Sequence, residues 1–499
     1  MDARIDDLDP PLSRDQVLVT AGIMAAIAVA ALDSTVVGTA MPTIIGQLGG
    51  LAEYSWVFTA YLVTSTTTVP LYARLADIYG RKPVFLVGLA LFVVGSVLCG
   101  TATSMPALIA FRALQGLGAG AVQPISFTIA GDIFTPHQRA RMQGVFSAVW
   151  GVSAIIGPAL GGIITTTVGW PWVFEINLPV GILAGTIIWF AFHERFHRHP
   201  QPIDWLGVAL LTGSIVLLLF AVSEGGQLFG WTSPVVLAML VGAVALLAAF
   251  VRNARRTPAP LIDLDLLRSP LVRAGLGIST LAGVVMFGLT TYVPPMVQGV
   301  HGGTALEAGA AVAAMSIGWP IASVIAGRLL IRIGARPIVL TGSVMLLAGA
   351  LLVTQLDAFD SLVFAMVACG IAGFGMGLMS TTLLVVIQGA VEWQRRAVAT
   401  GLVQFSRTIG GAVGVGVMGG VLTAFVGAAS SAILDPVARG SVSAGAAAAA
   451  RDALASGLNV TFWLMFAAAA VACLLAVRAM PNVALGHELP TAVGARADG

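Results

Sequence analysis

A lone arginine interrupts an apolar run in the stretch Ala110-Phe111-Arg112-Ala113-Leu114-Gln115-Gly116-Leu117-Gly118-Ala119-Gly120. The surrounding run, from Pro106 to Ala130, has about 25 residues and is long enough to cross a bilayer. An arginine in hydrocarbon costs a few kcal/mol, so Arg112 is expected to face a protein interior or a water-filled cavity. Gln115 lies one turn further on the same face. The stretch therefore predicts a polar site inside a bundle of membrane helices.

The composition of the whole chain is that of an all-α polytopic membrane protein. Its 499 residues are 58% hydrophobic and 10% charged, with a mean hydropathy of +0.94. A soluble domain would have too little charge for its surface. The three cysteines stand far apart in apolar runs, which favours small core residues over a disulfide or a metal site.

Window hydropathy indicates fourteen candidate membrane spans. Most of the 25 Lys and Arg residues fall on one side of that topology, which predicts that both termini are cytoplasmic. We expect a multi-pass protein of the inner (cytoplasmic) membrane. The sequence leaves its oligomeric state open, with a monomer as the expectation.

An internal repeat divides the chain. At one constant offset, Gly116, Gly118 and Gly120 recur as Gly373, Gly375 and Gly377, and at a slightly shorter offset Gly80 matches Gly334. Two six-helix halves related by an axis along the membrane normal are a transporter architecture. The predicted organisation is a tail at 1–17, a half at 18–200, two inserted helices at 201–256, a half at 257–480 and a tail at 481–499.

The repeat is unequal in charge. At the equivalent positions of the repeat, Arg112 corresponds to Cys369 in the second half, and Asp77 corresponds to Ile331. Ion chemistry is therefore expected in the first half. Arg407 is a second intramembrane cation, for which the sequence offers no obvious partner.

The loop after the second span reads Ala73-Arg74-Leu75-Ala76-Asp77-Ile78-Tyr79-Gly80-Arg81-Lys82-Pro83. It resembles the signature loop of the major facilitator superfamily, although Ala73 stands where that family usually has glycine. The resemblance implies a cytoplasmic latch, in which Asp77 meets the positive end of a helix in the other half. A basic loop that only sets topology would explain the arginines but not the spacing of Asp77 and Gly80. The latch residues are Arg74, Asp77, Gly80 and Arg81.

Proton coupling is expected at Asp33, Arg112 and Glu175. Asp33 is a carboxylate within an apolar helix, which is a functional hypothesis by default. Its segment, Leu32-Asp33-Ser34-Thr35-Val36-Val37, resembles a signature of the fourteen-span drug:proton antiporter branch of the same superfamily. The Arg-x-x-Gln-Gly-x-Gly pattern at Arg112 also resembles a superfamily motif, although an arginine that snorkels to the interface is an alternative. For Glu175, a solvated side chain and a proton site both remain open.

A third motif lies in the fifth span. Its small residues at four-residue spacing predict tight helix packing, and its proline predicts a kink. The motif resembles the Gly-x-x-x-Gly-Pro-x-x-Gly-Gly sequence of antiporters, with a serine in place of the first glycine. Packing alone is the plainer alternative. The residues are Ser153, Gly157, Pro158, Gly161 and Gly162.

Aromatic, amide and thioether side chains within the spans are candidates for a promiscuous binding site, although any one of them is more often a packing residue. They are Trp56, Tyr61, Gln115, Gln123, Phe127, Met286, Tyr292, Gln404 and Phe405. Thr304 and Glu307 fit a capping box at the start of a span.

The resemblance implies a secondary antiporter that exports amphipathic compounds, cationic or neutral, in exchange for protons. A lipid or metabolite exporter on the same fold and a non-transporting scaffold are the alternatives. No phosphate-binding loop or hydrolytic triad is visible, so we do not expect transport driven by ATP in this chain. We expect no enzyme activity. We also expect no cofactor beyond the proton gradient, no metal and no nucleic-acid partner. The expected partners are small amphipathic substrates, protons and the lipid bilayer.

Overall fold

The computed structural model describes residues 12–49, 54–194, 202–224, 232–357, 361–426 and 444–481. All regular structure in these ranges is helical. Most of the predicted tails at 1–17 and 481–499 lies outside them. The helices are α1 Arg14–Leu48, α2 Tyr54–Tyr79, α3 Arg81–Gly100, α4 Met105–Ile133, α5 Pro136–Thr167, α6 Trp172–Glu175, α7 Asn177–Ala191, α8 Trp205–Glu224, α9 Pro234–Ala254, α10 Pro270–Pro295, α11 Ala305–Ile333, α12 Ala335–Val353, α13 Leu362–Gly389, α14 Arg396–Val426 and α15 Ala444–Ala479.

Several helices begin at residues that satisfy the first free backbone N–H groups. Ser13, Thr135 and Thr304 each form a capping box with the residue three positions later. At Thr304, the hydroxyl accepts the Glu307 backbone N–H at 3.2 Å, and the Thr304 N–H donates to Glu307 Oε2 at 2.7 Å. The capping box predicted from the sequence is confirmed.

Twelve helical segments among the described residues are long and apolar enough to cross a membrane. The two remaining long helices, α2 and α5, have 26 and 32 residues and pack within the bundle. They are more polar than the others because α2 carries a threonine-rich run and α5 begins with a basic turn. The chain is a multi-pass membrane protein, and the count of fourteen spans stays a prediction.

The repeated glycines make the same contacts in two sets of helices, the first set being α1–α7 and the second α10–α15. In α4, a Cβ at Gly118 would collide with the backbone of α3 at Phe92; in α13, a Cβ at Gly375 would collide with α12 at Leu346. Gly116 and Gly373 likewise lie against carbonyls of α2 and α11. Small residues allow this approach of helix backbones. The repeat in the sequence is therefore a repeat in packing.

Gly80 and Gly334 end α2 and α11 and precede the next helix without a gap. Their φ angles are 97° and 77°, in the region that favours glycine. The matched position in the two sets thus makes the same sharp turn.

Helices α8 and α9, which the sequence predicts to be an inserted pair, pack against each other and beside the bundle. Ser214 Oγ donates to the Ala243 carbonyl at 2.8 Å, and the Asn253 amide donates to Asp204 at 2.9 Å. Helix α8 also touches both α2 and α14. At one contact the rings of Trp56 and Phe220 lie 5.0 Å apart.

Candidate functional site

The carboxylate and the guanidinium that the sequence places inside the first half form an ion pair. Arg112 Nη1 lies 2.6 Å from Asp33 Oδ2. Each residue is 1% exposed. An isolated charge at this depth would be costly, and the partner lowers that cost. The structure therefore favours an Arg112 side chain that faces the protein interior over one that snorkels to the membrane interface.

Two amides complete the coordination of the carboxylate. Gln115 Nε2 donates to Asp33 Oδ1 at 2.8 Å, and Asn177 Nδ2 donates to the same oxygen at 3.1 Å. Gln115 Oε1 in turn accepts from Arg112 at 2.7 Å. Gln115, expected among the substrate-binding residues, is a member of this network. Every side-chain contact described for Asp33 is with a donor, as an ionised carboxylate requires.

The network extends to α2 and α3. Asn177 also donates to Ser96 Oγ at 2.9 Å, and Ser96 donates to the Phe174 carbonyl at 2.8 Å. Arg112 donates through Nε to the Val57 carbonyl at 3.3 Å and lies 4.2 Å above the ring of Tyr61. Residues of α1, α2, α3, α4, α6 and α7 thus meet around one carboxylate. We call Asp33, Arg112, Gln115, Asn177 and Ser96 the carboxylate network.

Glu175 stands apart from this network. It ends α6, is half-buried, and lies beside Gly100 at the end of α3. No hydrogen bond or ion pair of the Glu175 side chain is found within the part of the chain that the structure describes.

A second charged cluster lies at the opposite end of the bundle, where the basic loops gather; we call this the basic end. Asp77 Oδ2 accepts the backbone N–H of Val398 at 3.1 Å, in the first turn of α14. Unpaired N–H groups at a helix start favour a carboxylate. The contact predicted for Asp77 with a helix of the other half is present.

Arg81 is the centre of this cluster and is fully buried. It pairs with Asp77 at 3.3 Å and Asp132 at 3.0 Å, and it donates to the Trp393 carbonyl at 2.9 Å. Asp132 also pairs with Arg396 at 2.8 Å. The pairing of Asp132 with Arg396 joins α4 and α14, which lie before and after α8 and α9. We call Asp77, Arg81, Asp132, Trp393 and Arg396 the basic-end clasp.

Gly80 and Arg74 lie at the edge of the clasp. The Glu194 carboxylate accepts the N–H groups of Arg81 and Lys82, at 2.8 and 3.0 Å, at the start of α3. A Cβ on Gly80 would lie 2.8 Å from Glu194 Oε2. Arg74 lines a cavity of about 390 Å³ together with Asp77 and Asp263.

Ala73, which stands where the family usually has glycine, lies opposite a glycine of α14 at the contact between α2 and α14. A Cβ on Gly401 would lie 2.7 Å from the Ala73 side chain. The glycine that permits the crossing stands on the partner helix, so Ala73 does not loosen this contact.

The small-residue motif of α5 packs against α1. A Cβ at Gly157 would collide with Thr35, and one at Gly161 would collide with Thr39. The Ser153 carbonyl accepts from Thr35 Oγ1 at 3.2 Å. Gly162 faces open space, and α5 continues as a helix through Pro158. The predicted close packing is present.

The remaining substrate-binding candidates differ in their surroundings and stay predictions. Phe127 and Tyr292 are buried in packed regions, where Phe127 contacts Phe146 and the Tyr292 hydroxyl donates to the Val415 carbonyl. Phe405 packs with residues of the inserted pair. The half-buried candidates are Trp56, Tyr61, Gln123 and Met286.

Gln404 has a different setting, because it contacts the second intramembrane cation. Its Oε1 accepts from Arg407 Nη2, and the guanidinium lies 5.4 Å from the ring centre of Trp319. Among the residues that the structure describes, no carboxylate pairs with Arg407.

The sequence pointed to Asp33, Arg112, Asp77 and Arg81, whereas Asn177, Ser96, Asp132, Glu194 and Trp393 were not predicted. Asp132 could have been predicted from its position, because it is an acid at the basic end of an apolar span. In the described ranges, no group of three His, Cys, Asp or Glu side chains is placed to hold a metal.

Two matching sets of apolar helices, with an ion pair buried in one set and a charged clasp joining both, define a membrane transporter. The chain belongs to the Major Facilitator Superfamily, whose family model matches residues 23–415. Members of this family are transporters rather than enzymes. The resemblance read from the motifs is confirmed.

Two bacterial relatives and one fungal relative are similar over most of the chain. "Multidrug transporter protein MdtP" of Bacillus subtilis is 39% identical over 412 residues, covering 83% of this chain and 76% of the relative. "Multidrug resistance protein 3" of the same organism is 36% identical, with coverages of 81% and 79%. "Efflux pump dotC" of Dothistroma septosporum is 30% identical, with coverages of 95% and 85%.

Solved structures share the fold at low sequence identity. The human organic anion transporter MFSD10 has a TM-score of 0.63 at 16% identity, covering 92% of this chain and all of that one. The proton:xylose symporter XylE has a TM-score of 0.61 at 12% identity, with coverages of 94% and 96%.

Proposed function

We propose that this protein is a proton-coupled antiporter that exports amphipathic compounds, with its basic end and both termini in the cytoplasm. The observation that carries the proposal is the buried ion pair between Asp33 and Arg112 at 2.6 Å. The names of the relatives as multidrug transporters and efflux pumps support the export of drug-like molecules. The excess of basic residues at one end supports the orientation.

Proton binding would rearrange the carboxylate network. A protonated carboxyl presents one donor, whereas the oxygens of Asp33 now accept from Arg112, Gln115 and Asn177. The protonated oxygen is a weaker acceptor, so the contact with the donor on that side weakens or breaks. Since the three donors belong to α4 and α7, a proton on α1 changes contacts among several helices.

The charge of Arg112 gives that rearrangement its driving force. Neutralising Asp33 leaves the buried guanidinium without its counter-ion, and an unpaired buried charge is unfavourable. Each proton that moves into a cell with a negative interior gains about 2.3 kcal/mol per 100 mV. Export in exchange for protons uses this gain.

The basic-end clasp would keep the cytoplasmic side closed in one half of the cycle. It contains charged and polar contacts between the two sets of helices, and these must break for a cavity to open there. The packing of α5 on α1 through Gly157 and Gly161 would let the first half move as one body.

Gradient-driven export tests the proposal. The purified protein is reconstituted in vesicles, a pH gradient is imposed, and ethidium transport is followed by fluorescence. We expect transport that stops when the gradient is collapsed, and we expect Asp33→Asn to reduce it to background while dye still binds, because asparagine cannot carry the proton.

Glu175→Gln is the matched control, since Glu175 is also an acid of the first half but lies outside the network. Wild-type export by Asp33→Asn together with loss of export by Glu175→Gln would move the proton to Glu175. Gradient-driven movement of phospholipid without movement of dye would instead support a lipid exporter on the same fold.

A further inference from the structure

Arg407 is the second arginine inside the membrane part, and no carboxylate neutralises it among the described residues. It follows Arg396, the first residue of α14, by about 16 Å at 1.5 Å per residue, and the helix continues beyond it to Val426. This places it near the middle of a bilayer with a core of about 30 Å. A side chain at that depth does not reach the interface easily.

The second set of helices has no acid available at this depth. Its membrane spans contain acidic residues only in first turns, at Glu307 and Asp452. In the first set, Asp33 already pairs with Arg112. Within the described part of the chain, no free counter-ion is therefore available to Arg407.

The side chains around Arg407 are hydrogen-bond donors with unused N–H groups. Gln404 gives its oxygen to Arg407, and its Nε2 has no acceptor among the described residues although the residue is only 5% exposed. Trp319 Nε1 is buried and also has no described acceptor. Three side chains on α14 and α11 thus offer guanidinium, amide and indole donors at one place.

We propose that Arg407, Gln404 and Trp319 form a subsite for an anionic oxygen group, such as a carboxylate, on an amphipathic substrate. This deepens the proposed export function and rests on it. A guanidinium binds a carboxylate with two parallel hydrogen bonds, and the adjacent amide and indole supply further donors. The indole ring beside the guanidinium offers an apolar surface for the aromatic part of the same molecule.

The subsite narrows the expected substrates. With Asp33 ionised, its charge and that of Arg112 cancel, and Arg407 leaves one positive charge in the membrane part of these two sites. A compound without a carboxylate would gain no hydrogen bonds from Arg407, whereas a zwitterion could direct its carboxylate to it. We infer a preference for amphipathic compounds that contain a carboxylate over otherwise equal compounds that lack one.

Rhodamine B and its ethyl ester test this inference, because they differ only in whether the carboxyl group is free. Equilibrium binding of each dye is measured by fluorescence on the full-length detergent-solubilised protein, without a gradient. We expect Arg407→Gln to weaken rhodamine B binding at least tenfold and to change ester binding less than twofold. Arg407→Lys, which keeps the charge but loses the planar fork, should fall between them.

Arg332→Gln is the control variant, since Arg332 is an exposed arginine in the last turn of α11. It should bind both dyes as the unaltered protein does. Retained ester binding in Arg407→Gln also shows that the variant is folded. If Arg407→Gln fails to fold, the ratio of the affinities for the two dyes is measured for Gln404→Leu and Trp319→Phe instead. Each of these variants should bind rhodamine B more weakly and bind the ester unchanged.

An equal change for both dyes, no change for either, or no binding of either dye by the unaltered protein would overturn the subsite. The result is separable from the antiport proposal, because binding is measured without a gradient. Selective carboxylate binding without gradient-driven transport would contradict antiport and leave the subsite supported.

Discussion

Arg112 and Arg407 are both arginines inside membrane helices, yet their surroundings differ. Arg112 is fully buried against a carboxylate, a glutamine and a backbone carbonyl. Arg407 is half-buried, and its described contacts are an amide oxygen and an indole ring. The first arginine has its acceptors supplied by the fold, whereas the second has unused donors.

The difference shows how a repeated fold can divide its tasks. Both sets of helices keep the glycines that bring their backbones together, but among the described residues only the first has an ion pair within the membrane. Packing is therefore shared between the sets, while charge is not. We assign the proton to the first set and the substrate's polar group to the second.

The largest expected contrast is in stability. Arg112→Ala should destabilise the protein by about 3–5 kcal/mol, because it leaves the Asp33 carboxylate buried without its counter-ion. Arg407→Ala should cost less, about 1–3 kcal/mol, because it removes one hydrogen bond and leaves the buried Gln404 oxygen without its donor. Denaturant unfolding in mixed micelles, followed by helical circular dichroism, measures both. Equal losses would remove the distinction, and Asp33→Asn combined with Arg112→Ala should recover most of the lost stability.

The difference between the two sets can also be tested at Asn177, a neutral residue of the carboxylate network. Asn177→Leu should reduce gradient-driven export about tenfold and change its pH dependence, because one donor to Asp33 and the link to Ser96 are lost. The corresponding stability cost is about 1–3 kcal/mol. Asn459→Leu is the matched control in α15, where the amide donates to the Thr354 carbonyl. It should lower stability and leave the pH dependence of export unchanged. The same altered pH profile in both variants would contradict a special role for Asn177.

The two sets also differ at the position of Asp77 in the basic-end clasp, whose counterpart in α11 is the apolar Ile331. Asp77→Asn should slow export about tenfold, because it weakens the bond to the start of α14 and the pairing with Arg81. Equilibrium dye binding should stay within twofold of the unaltered protein. Asp265→Asn, an exposed acid that pairs with Arg268, serves as the control. Wild-type export by Asp77→Asn would exclude the clasp as a gate.

The smallest effect is expected where the two sets touch through small residues. Gly401→Ala should destabilise the protein by about 1–2 kcal/mol, because its new methyl group meets Ala73. Adding Ala73→Gly should restore most of that stability. If the second change brings no recovery, the crossing of α2 and α14 does not depend on this contact.

Charge made the main features of the first set predictable from sequence. An aspartate or arginine in an apolar helix is rare enough to be noticed, so the sequence alone indicated that Asp33 and Arg112 act together inside the membrane. The repeated glycines and the spacing in the loop around Asp77 indicated the packing and the clasp in the same way. These signals depend on residue types that a membrane helix contains only for a reason.

The partners of these residues were harder to predict. Asn177 and Ser96 are neutral, and such residues occur in membrane helices for many reasons, so only the packing of α3 and α7 shows their role. Asp132 and Trp393 come from distant parts of the chain that meet at the clasp. The aromatic candidates for substrate binding stay predictions, because an aromatic side chain in an apolar helix carries no sign of whether it lines a cavity or packs.

Helix α8 has a mechanical consequence that follows from its position. It runs along the seam between α2 and α14 and contacts both, with Phe220 against Trp56 and Val222 against Gly416. If the two sets of helices move relative to each other, as the proposed exchange requires, the distance between α2 and α14 changes, and α8 must slide or lose one of its contacts. Resistance to this movement of α8 would then contribute to the rate at which the two conformations interchange. A spectroscopic probe on α8 would report which side of the membrane the cavity opens to.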